Sequence, residues 1–390
     1  TLYHFGTASL NGIIGNTLGI PLSGILLPLS FLVLIFPRGW YLTRVFVLVY
    51  KAVNTLWIKW MQFCYNLPFS ISANYLSLFQ ALALATVILW GFLLIRAKFK
   101  TALIATLPMC VLVSGFIFIP FLHKSETSVY VFNCGVSDCT LIHFANGETM
   151  LIDTGGTYKK GFGESFLSTG EYSQDSWLNR NLLPWLGKKG IAQIDYLVLT
   201  HLHSDHCGGL ITLLNNKKVG QIFVSDESTK QDFWKVVRQQ KSFPAVKINT
   251  ISDTCSFVTG NEKLKFLHPD KFYSPLNENN SSLVCRLDTK KASILFTGDI
   301  ESEAENYLVD NYAPELKADY LKIPHHGSRS SSSASFLQAV NPREVWITAS
   351  RRNIYHFPHP ETMQRLQKQQ TKILSTGNGT IRKMIDSRSN

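Results

Sequence analysis

The stretch "THLHSDHCGGL", residues 200–210, crowds four potential metal ligands into six positions. It follows the apolar run "IDYLVL" and precedes a Gly-Gly pair, so it lies where a buried strand ends and the chain turns. Histidine and aspartate are ligands for Zn, Mn or Fe. The gaps of two, two and one let His201, His203, Asp205 and His206 face two neighbouring ions. A structural or surface role explains four such residues poorly, and the pattern therefore predicts a metal site.

The charges divide the chain sharply. No Asp or Glu occurs before Glu126, whereas eight of the 38 Lys and Arg residues do. The remaining part holds 30 basic and 27 acidic side chains, so it is nearly balanced. An acid-free, aromatic-rich first third indicates a membrane region, and the mixed remainder indicates a soluble domain.

Short strand-like runs dominate from Ser128 onwards. They are "SVYVFNC", "TLIHF", "TMLID", "DYLVLTH", "QIFVS", "SLVCRL", "SILFTGD", "YLKIPHH" and "EVWITAS". Helical stretches at 301–310 and 361–370 follow between the later runs. This order predicts a layered α/β domain with the sheets inside, over residues 125–390.

Residues 75–95 and 101–122 carry no charge and are long enough to span a bilayer, where about 20 residues are needed. Residues 12–36 are also apolar but contain Pro21 and Pro28, which predicts a broken helix. Two interpretations of that break stay open, a channel or transporter wall and a merely kinked spanning helix.

Residues 41–63 mix basic side chains with Trp57 and Trp60, which favours an interfacial helix. Its role is either lipid anchoring or contact with a polyanion. The basic hinge "RAKFK" at 96–100 belongs in the cytoplasm by the positive-inside rule. The chain after His123 is then expected outside the inner membrane.

Four motifs in order, "LIDTGG", the ligand loop, "LFTGD" and "IPHHGS", resemble the metallo-β-lactamase fold in its dinuclear hydrolase branch. The resemblance implies an αββα sandwich that follows the membrane helices, with two divalent ions, Zn or Mn. It assigns His201 and His203 to one ion, Asp205 and His206 to the other, Asp299 to a bridge, His325 or His326 to the second site, and Asp153 to the surrounding shell. It implies that Asp205 and Asp299 are the catalytic carboxylates.

A second resemblance extends over nearly the whole chain. "FGTASLNGIIGNTLGIPL", "NENNSSLVCRL" and "YHFPHPET" are similar to ComEC-type DNA-uptake channels. This implies that residues 1–124 are the C-terminal part of a multi-pass membrane competence domain, inside a longer polypeptide, although a processed terminus is the alternative. It implies an extracytoplasmic nuclease at 125–390 that degrades the non-transported strand. The implied partners are single-stranded DNA, the lipid bilayer, other competence proteins and a second copy of the chain.

One position departs from the dinuclear pattern. Many dinuclear hydrolases have a further histidine between the ligand loop and the motif that corresponds to "LFTGD", which we call the third-motif histidine. In this chain that region offers Asn280 and Ser281 instead. We expect four residues to contact substrate, namely Asn280, Ser328, Arg351 and Arg352. The serine run at 330–333 is more simply explained as a flexible turn. Two other functions stay open: a membrane-anchored hydrolase of small esters or lactones, and a catalytically silent DNA-binding domain.

Overall fold

The computed structural model describes residues 8–37, 39–65, 70–71, 85–88, 90–91, 126–156, 177–231, 233–239 and 246–385. They belong to two units, which we describe separately. In the N-terminal unit, helix α1 spans Leu10–Ile35 and helix α2 spans Tyr41–Tyr65. Two short strands, Ala8–Ser9 and Ser70–Ile71, pair antiparallel.

Helices α1 and α2 form an antiparallel hairpin held by tryptophans. The Trp60 indole donates to the Gly15 carbonyl at 3.0 Å, and the Trp57 indole donates to the Gly19 carbonyl at 3.2 Å. A Cβ built on Gly15 would lie 3.6 Å from the Cys64 Cβ, so a small residue there lets the two backbones approach closely. Both tryptophans therefore serve helix packing, and the interfacial placement of α2 stays a prediction.

The full break expected within residues 12–36 is not found, because α1 continues through Pro21 and Pro28. Each proline removes one backbone donor, and the flanking turns keep the helix continuous. The choice between a channel wall and a kinked spanning helix stays a prediction. Among the described residues, Ile14–Ile35 is the one helix long and apolar enough to cross a membrane. The predicted span at 101–122 lies outside the described residues, and of 75–95 only 85–88 and 90–91 are described, as helix.

The C-terminal unit is built on two seven-stranded sheets. Its strands, β1 to β14 in chain order, are Thr127–Val131, Thr140–His143, Thr149–Ile152, Gln193–Val198, Lys218–Ser225, Lys247–Ile251, Cys255–Thr259, Glu262–His268, Val284–Asp288, Ser293–Phe296, Tyr320–Lys322, Glu344–Ile347, Lys372–Ser375 and Ile381–Ile385. The first sheet has the order β14-β1-β2-β3-β4-β5-β6, and the second has the order β13-β12-β11-β10-β9-β8-β7. Strands β3 to β6 of the first sheet run parallel to one another, and so do strands β10 to β13 of the second. The other neighbouring strands of each sheet are antiparallel.

Helices cover the outer faces of these sheets. Helices α3 to α10 are Leu183–Lys188, Ser204–Cys207, Leu210–Asn216, Asp226–Thr229, Phe233–Val237, Ser302–Leu316, Ala334–Val340 and Pro360–Lys368. A π-helical turn occupies Leu178–Leu182, and 3-10 turns occupy Asn279–Ser281, Pro324–Gly327 and Thr376–Asn378.

Two apolar layers explain the stacking. One contains Val129 and Ile142 of the first sheet together with Phe266 and Phe296 of the second, so the sheets pack face to face. The other packs the opposite face of the second sheet against α8, α9 and α10. On the first sheet, Tyr130 contacts Trp185 of α3 edge to face at 4.7 Å. The predicted αββα sandwich is confirmed.

All nine predicted strand runs are strands, and the two predicted helical stretches lie in α8 and α10. Strands β6, β7, β8, β13 and β14 were not predicted. In β8 the core-facing Leu264 and Phe266 alternate with Lys263 and Lys265, a pattern typical of a half-exposed strand. The charged residues there hide the apolar content, although the alternation itself is readable.

Candidate metal centre

The ligand loops leave the carboxyl ends of neighbouring parallel strands. Asp153 follows β3, the "THLHSDHC" loop follows β4, Asp299 follows β10 and His326 follows β11. Parallel strands present these ends at one edge of a sheet, so residues far apart in sequence converge there. The two sheets together bring the four loops to one buried cluster.

Four of the predicted ligands form a tight group. The His206 Nε2 lies 3.2 Å from the Asp299 Oδ2, and the His326 Nε2 lies 3.5 Å from the Asp205 Oδ2 and 3.6 Å from the Asp299 Oδ2. One ligand atom from each of these four residues lies within 4.8 Å of the others, and all four residues are buried.

The polar atoms of this group lack hydrogen-bond partners within the protein. They are Asp205 Oδ1, His206 Nε2, Asp299 Oδ1 and His326 Nε2. A buried polar atom left unpaired is costly, and a divalent cation between the two Nε2 atoms and the two carboxylates would offset much of that cost. Two carboxylates and two imidazoles are a donor set that Zn or Mn accepts, so these residues fit a metal ion.

The opposite ring nitrogens of these histidines are occupied. The His206 Nδ1 contacts the Asp153 Oδ2 at 2.7 Å, and the His326 Nδ1 donates to the Thr348 carbonyl at 2.8 Å. Such contacts fix the tautomer that leaves Nε2 available as a ligand. Asp153 also accepts from the Thr200 backbone N–H at 2.8 Å, and its place in a shell around bound metal stays a prediction.

His201 and His203 lie beside this group rather than in it. The His201 Nε2 and the His203 Nδ1 approach to 3.0 Å, and the outer Nε2 of His203 faces the Glu278 Oε2 at 3.3 Å. Among the described residues, no third His, Cys, Asp or Glu ligand joins this pair in a cluster. The predicted first ion site, at His201 and His203, would therefore have fewer protein ligands than the predicted second site, at Asp205, His206, Asp299 and His326.

The loop that lacks the third-motif histidine is held by Asn280. Its backbone carbonyl accepts from the His268 Nε2 at 2.8 Å, its side-chain amide donates to Glu303 at 2.7 Å, and its side-chain oxygen accepts from the Glu301 N–H at 2.8 Å. These contacts give Asn280 a structural role, while its predicted contact with substrate stays a prediction. Ser282, from the same loop, lies 3.3 Å from the His201 Nδ1.

Both histidines of "IPHHGS" have positive φ angles, 48° for His325 and 53° for His326. This backbone turns His326 into the four-residue group. His325 lies further out, with its Nε2 3.9 Å from the Asp299 Oδ2 and its Nδ1 3.4 Å from the Glu301 Oε1. Of the two predicted ligands, the geometry favours His326.

Sequence reasoning missed a buried ion pair next to the ligands. The Lys322 ammonium contacts the Asp138 carboxylate and lies 3.8 Å from the Asp299 Oδ1. Burial would raise the pKa of Asp138, but the charges of Lys322, His326 and His206 outweigh it and lower this pKa. Lys322 lies two positions before "PHHG", and only the topology reveals its pairing with Asp138.

The ring pKa values diverge across the centre. Burial lowers the pKa of His201, and the neighbouring His206 and His203 rings lower it further, so His201 is neutral and able to ligate. Burial also disfavours charge on His206, yet Asp299, Asp153 and Asp205 raise its pKa well above the usual range. The carboxylates thus attract positive charge to the place where an ion would bind.

The predicted substrate residues lie in two settings. Ser328 is buried and its hydroxyl contacts the Ser330 hydroxyl at 3.0 Å. The serine run is not a loose turn, since Glu305 accepts from the backbone N–H groups of Ser332 and Ser333.

Arg351 and Arg352 are exposed and line an open cavity with Ile354, His356 and Phe357. The Phe357 ring centroid is 5.7 Å from that of His325, so this cavity adjoins the metal centre.

Comparison with known proteins gives two matches along the chain. Residues 132–348 match the family model described as the Metallo-beta-lactamase superfamily, and residues 1–98 match the one described as Competence protein. The fold and the histidine–carboxylate centre define a metallo-hydrolase-like α/β sandwich. The chain belongs to the metallo-beta-lactamase superfamily, and its added competence region confirms the resemblance to ComEC-type proteins.

Three relatives are similar to this chain over much of its length. "ComE operon protein 3" of Bacillus subtilis is 31% identical over 74% of this chain and 37% of its own length. "Recombination protein 2" of Haemophilus influenzae is 25% identical over 98% of this chain and 47% of its own. "Competence protein ComA" of Neisseria gonorrhoeae is 26% identical over 65% of this chain and 31% of its own. The chain thus spans less than half the length of each.

Proposed function

We propose that this chain is the C-terminal part of a DNA-uptake channel used in natural transformation, and that its sandwich domain is a metal-dependent nuclease. The group of unpaired ligand atoms on Asp205, His206, Asp299 and His326 carries the enzymatic part of the proposal. The competence match over residues 1–98 and the names of the relatives support the uptake part.

We propose two divalent ions, one held by Asp205, His206, Asp299 and His326, the other by His201 and His203 with Asp299 between them. When bound, such a pair would supply an activated water and stabilisation of the charge that develops in phosphodiester hydrolysis. The protein contributes fixed ligand directions: Asp153 and Thr348 hold the His206 and His326 rings. All four residues proposed for the four-ligand ion are buried, so bulk water would have little access to it.

The substrate test uses the full chain in detergent, loaded with Mn²⁺ or Zn²⁺. Labelled single-stranded DNA, simple lactones and phosphate esters are offered separately. We expect metal-dependent shortening of the DNA, lost in Asp299→Ala, and lost together with bound metal in Asp205→Ala or His206→Ala. Lys230→Ala serves as control, since its exposed ammonium pairs with Asp226 and Glu227 of the short helix that it follows.

Two results would overturn the nuclease. Fast lactone or ester turnover with intact DNA at low salt indicates a membrane-anchored ester hydrolase. DNA binding without any metal-dependent cleavage indicates a catalytically silent domain of the channel.

The proposed location is the inner membrane, crossed several times, with the sandwich domain outside it. The acid-free first 125 residues and the apolar Ile14–Ile35 helix support membrane insertion. A reporter fused after Lys124 should behave as extracytoplasmic, and one fused at Lys98 as cytoplasmic, because the basic hinge stays inside. The reverse pattern would place the nuclease on the wrong side to act before translocation.

A further inference from the structure

The loop that replaces the third-motif histidine carries a carboxylate with a defined contact. Glu278 presents its Oε2 to the outer ring nitrogen of His203 at 3.3 Å, and its Oε1 accepts from the Gln231 amide at 2.9 Å. We propose that Glu278 is the positioning residue of the first ion site: it accepts the Nε2–H of His203 and so fixes the tautomer whose Nδ1 points, with the His201 Nε2, at the ion.

Glu278 does not replace the missing ligand itself. The two nitrogens of an imidazole ring point in diverging directions, and the His203 Nδ1 is the one that meets the His201 Nε2, at 3.0 Å. A carboxylate in contact with the opposite nitrogen therefore lies away from an ion bound between these two rings. A ligating histidine typically donates its other N–H to such an acceptor.

The second site uses the same device with different acceptors. Asp153 contacts the outer nitrogen of His206, and the Thr348 carbonyl accepts from that of His326. Glu278 completes the series for His203. The outer nitrogen of His201 lies near the hydroxyls of Thr200 and Ser282, at 3.2 and 3.3 Å.

Glu278 is held through both its side chain and its backbone. Gln231 fixes one oxygen from the loop after α6, while the Glu278 carbonyl accepts from the Ser281 hydroxyl at 2.7 Å and from its N–H at 3.1 Å. Asn280 anchors the same turn to Glu301 and Glu303. Because the first site has few protein ligands, the orientation of the His203 ring affects metal affinity there more than the orientation of any one ring does in the four-ligand site.

This inference rests on the metal centre of the proposed function but not on its substrate. The test counts Zn²⁺ bound by the full chain in detergent, across a chelator series and without nucleic acid, so a failure of DNA hydrolysis leaves it untouched. Glu278→Ala is compared with Glu278→Gln and with Glu227→Ala. Glu227 is an exposed glutamate paired with Lys230 and serves as the control.

We expect Glu278→Ala to keep the second ion and to bind the first about 10-fold to about 100-fold more weakly. Glu278→Gln, whose amide oxygen still accepts an N–H, should recover most of that loss. Long-range ¹H–¹⁵N correlations of the imidazoles should show the proton on the Nε2 of His203 in the wild type and a mixture of tautomers in Glu278→Ala.

Three results would overturn the inference. Two ions bound by Glu278→Ala with wild-type affinity would show that His203 needs no such acceptor. Loss of both ions together with the fold would make Glu278 a general structural residue. A Glu278→Gln variant as weak as Glu278→Ala would show that hydrogen-bond acceptance is not what matters.

Discussion

At the scale of single residues, His206 is where most charges of the centre meet. Its ring contacts Asp153 on one side and faces Asp205 and Asp299 on the other, with no exposure to solvent. Such a buried carboxylate cluster is stable only with compensating positive charge. Lys322 supplies part of it, and either protonated histidines or divalent ions supply the rest.

The first prediction follows from this competition between protons and metal. Burial lowers the pKa of His206 and of His326, but nearby carboxylates outweigh it, and the folded-state pKa of each lies above the usual 6.5. Their stabilising contribution is therefore complete below pH 6.5 and is lost as the pH rises through the folded values. We expect the thermal unfolding midpoint of the metal-free chain to fall as the pH rises above 6.5.

Metal should reverse this trend, since ligation needs deprotonated rings and releases their protons. The Zn²⁺-loaded chain is thus expected to gain stability, relative to the metal-free chain, over the same pH range. Near-UV circular dichroism of both forms in detergent measures the two midpoints. A metal-free midpoint that rises with pH would contradict the charges assigned to these histidines.

At the scale of elements, the short helix α4 carries two of the predicted ligands, and its position depends on glycine. A Cβ built on Gly156 would lie 2.0 Å from the Ser204 carbonyl oxygen and 2.9 Å from the Gly208 Cα. Gly208 in turn approaches the Gly156 Cα. The Gly-Gly pair after the ligand loop and the one in "LIDTGG" therefore pack against each other, which keeps α4 close to the end of β3.

The second prediction compares two glycines with positive φ. Gly147, with φ of 92°, has nothing within 4 Å of its built Cβ, so Gly147→Ala should cost only backbone strain, about 1–2 kcal/mol. Gly156→Ala adds the clash with α4 and should be less stable than that control by about 1–3 kcal/mol or more. Denaturant unfolding of both variants measures the difference, and Gly156→Ala should also lose bound metal. Equal losses of stability in both variants would refute the close packing of Gly156 against α4.

A third prediction tests the hairpin of α1 and α2. The Cβ of a cysteine at position 15 would lie 3.6 Å from the Cys64 Cβ, within the separation of about 3.5–4.5 Å that disulfides need. Mild oxidation of Gly15→Cys should link it to Cys64, and mass spectrometry of digested protein identifies the linked peptides. The control Gly24→Cys has nothing within 4 Å of its built Cβ. A link at position 24 but none at position 15 would contradict the observed packing.

Local sequence patterns predicted much of the sandwich domain but missed its long-range contacts. The ligand loop was readable because its four ligands lie within six residues of the end of an apolar strand. Glu278 and Lys322 act on residues more than 70 positions away, and no local periodicity marks them. The continuity of α1 was misjudged because proline weakens a helix locally, whereas its packing against α2 is a tertiary effect.

At the scale of the whole molecule, charge separates the two regions. The first 125 residues carry eight basic and no acidic side chains, while the rest carries 30 against 27. If the nearly neutral sandwich domain binds DNA as proposed, it would do so through a local basic track rather than a uniformly positive surface. Arg351 and Arg352 are placed for such a track, beside a cavity that adjoins His325 through Phe357.

The last prediction concerns the salt dependence of DNA binding. Counterion release gives a slope of log affinity against log salt of about −0.7 for each phosphate neutralised on a single strand. The small net charge of the sandwich domain allows few contacts with DNA, about 3–5 phosphates. We therefore expect a slope between about −2 and about −3.5 and modest affinity for free DNA. Fluorescence anisotropy of labelled single-stranded DNA with the full chain in detergent, under chelator to prevent cleavage, measures this slope.

Arg351→Ala and Arg352→Ala should each flatten the slope by about 0.7, since each removes one phosphate contact. The Arg351 guanidinium also donates to the side-chain oxygen of Asn378 at 2.6 Å, which restrains this side chain. Lys230→Ala, which lies in an exposed ion pair elsewhere, should leave the slope unchanged. A binding curve that does not respond to salt, or arginine variants that match the wild type, would remove this cavity from the path of the strand.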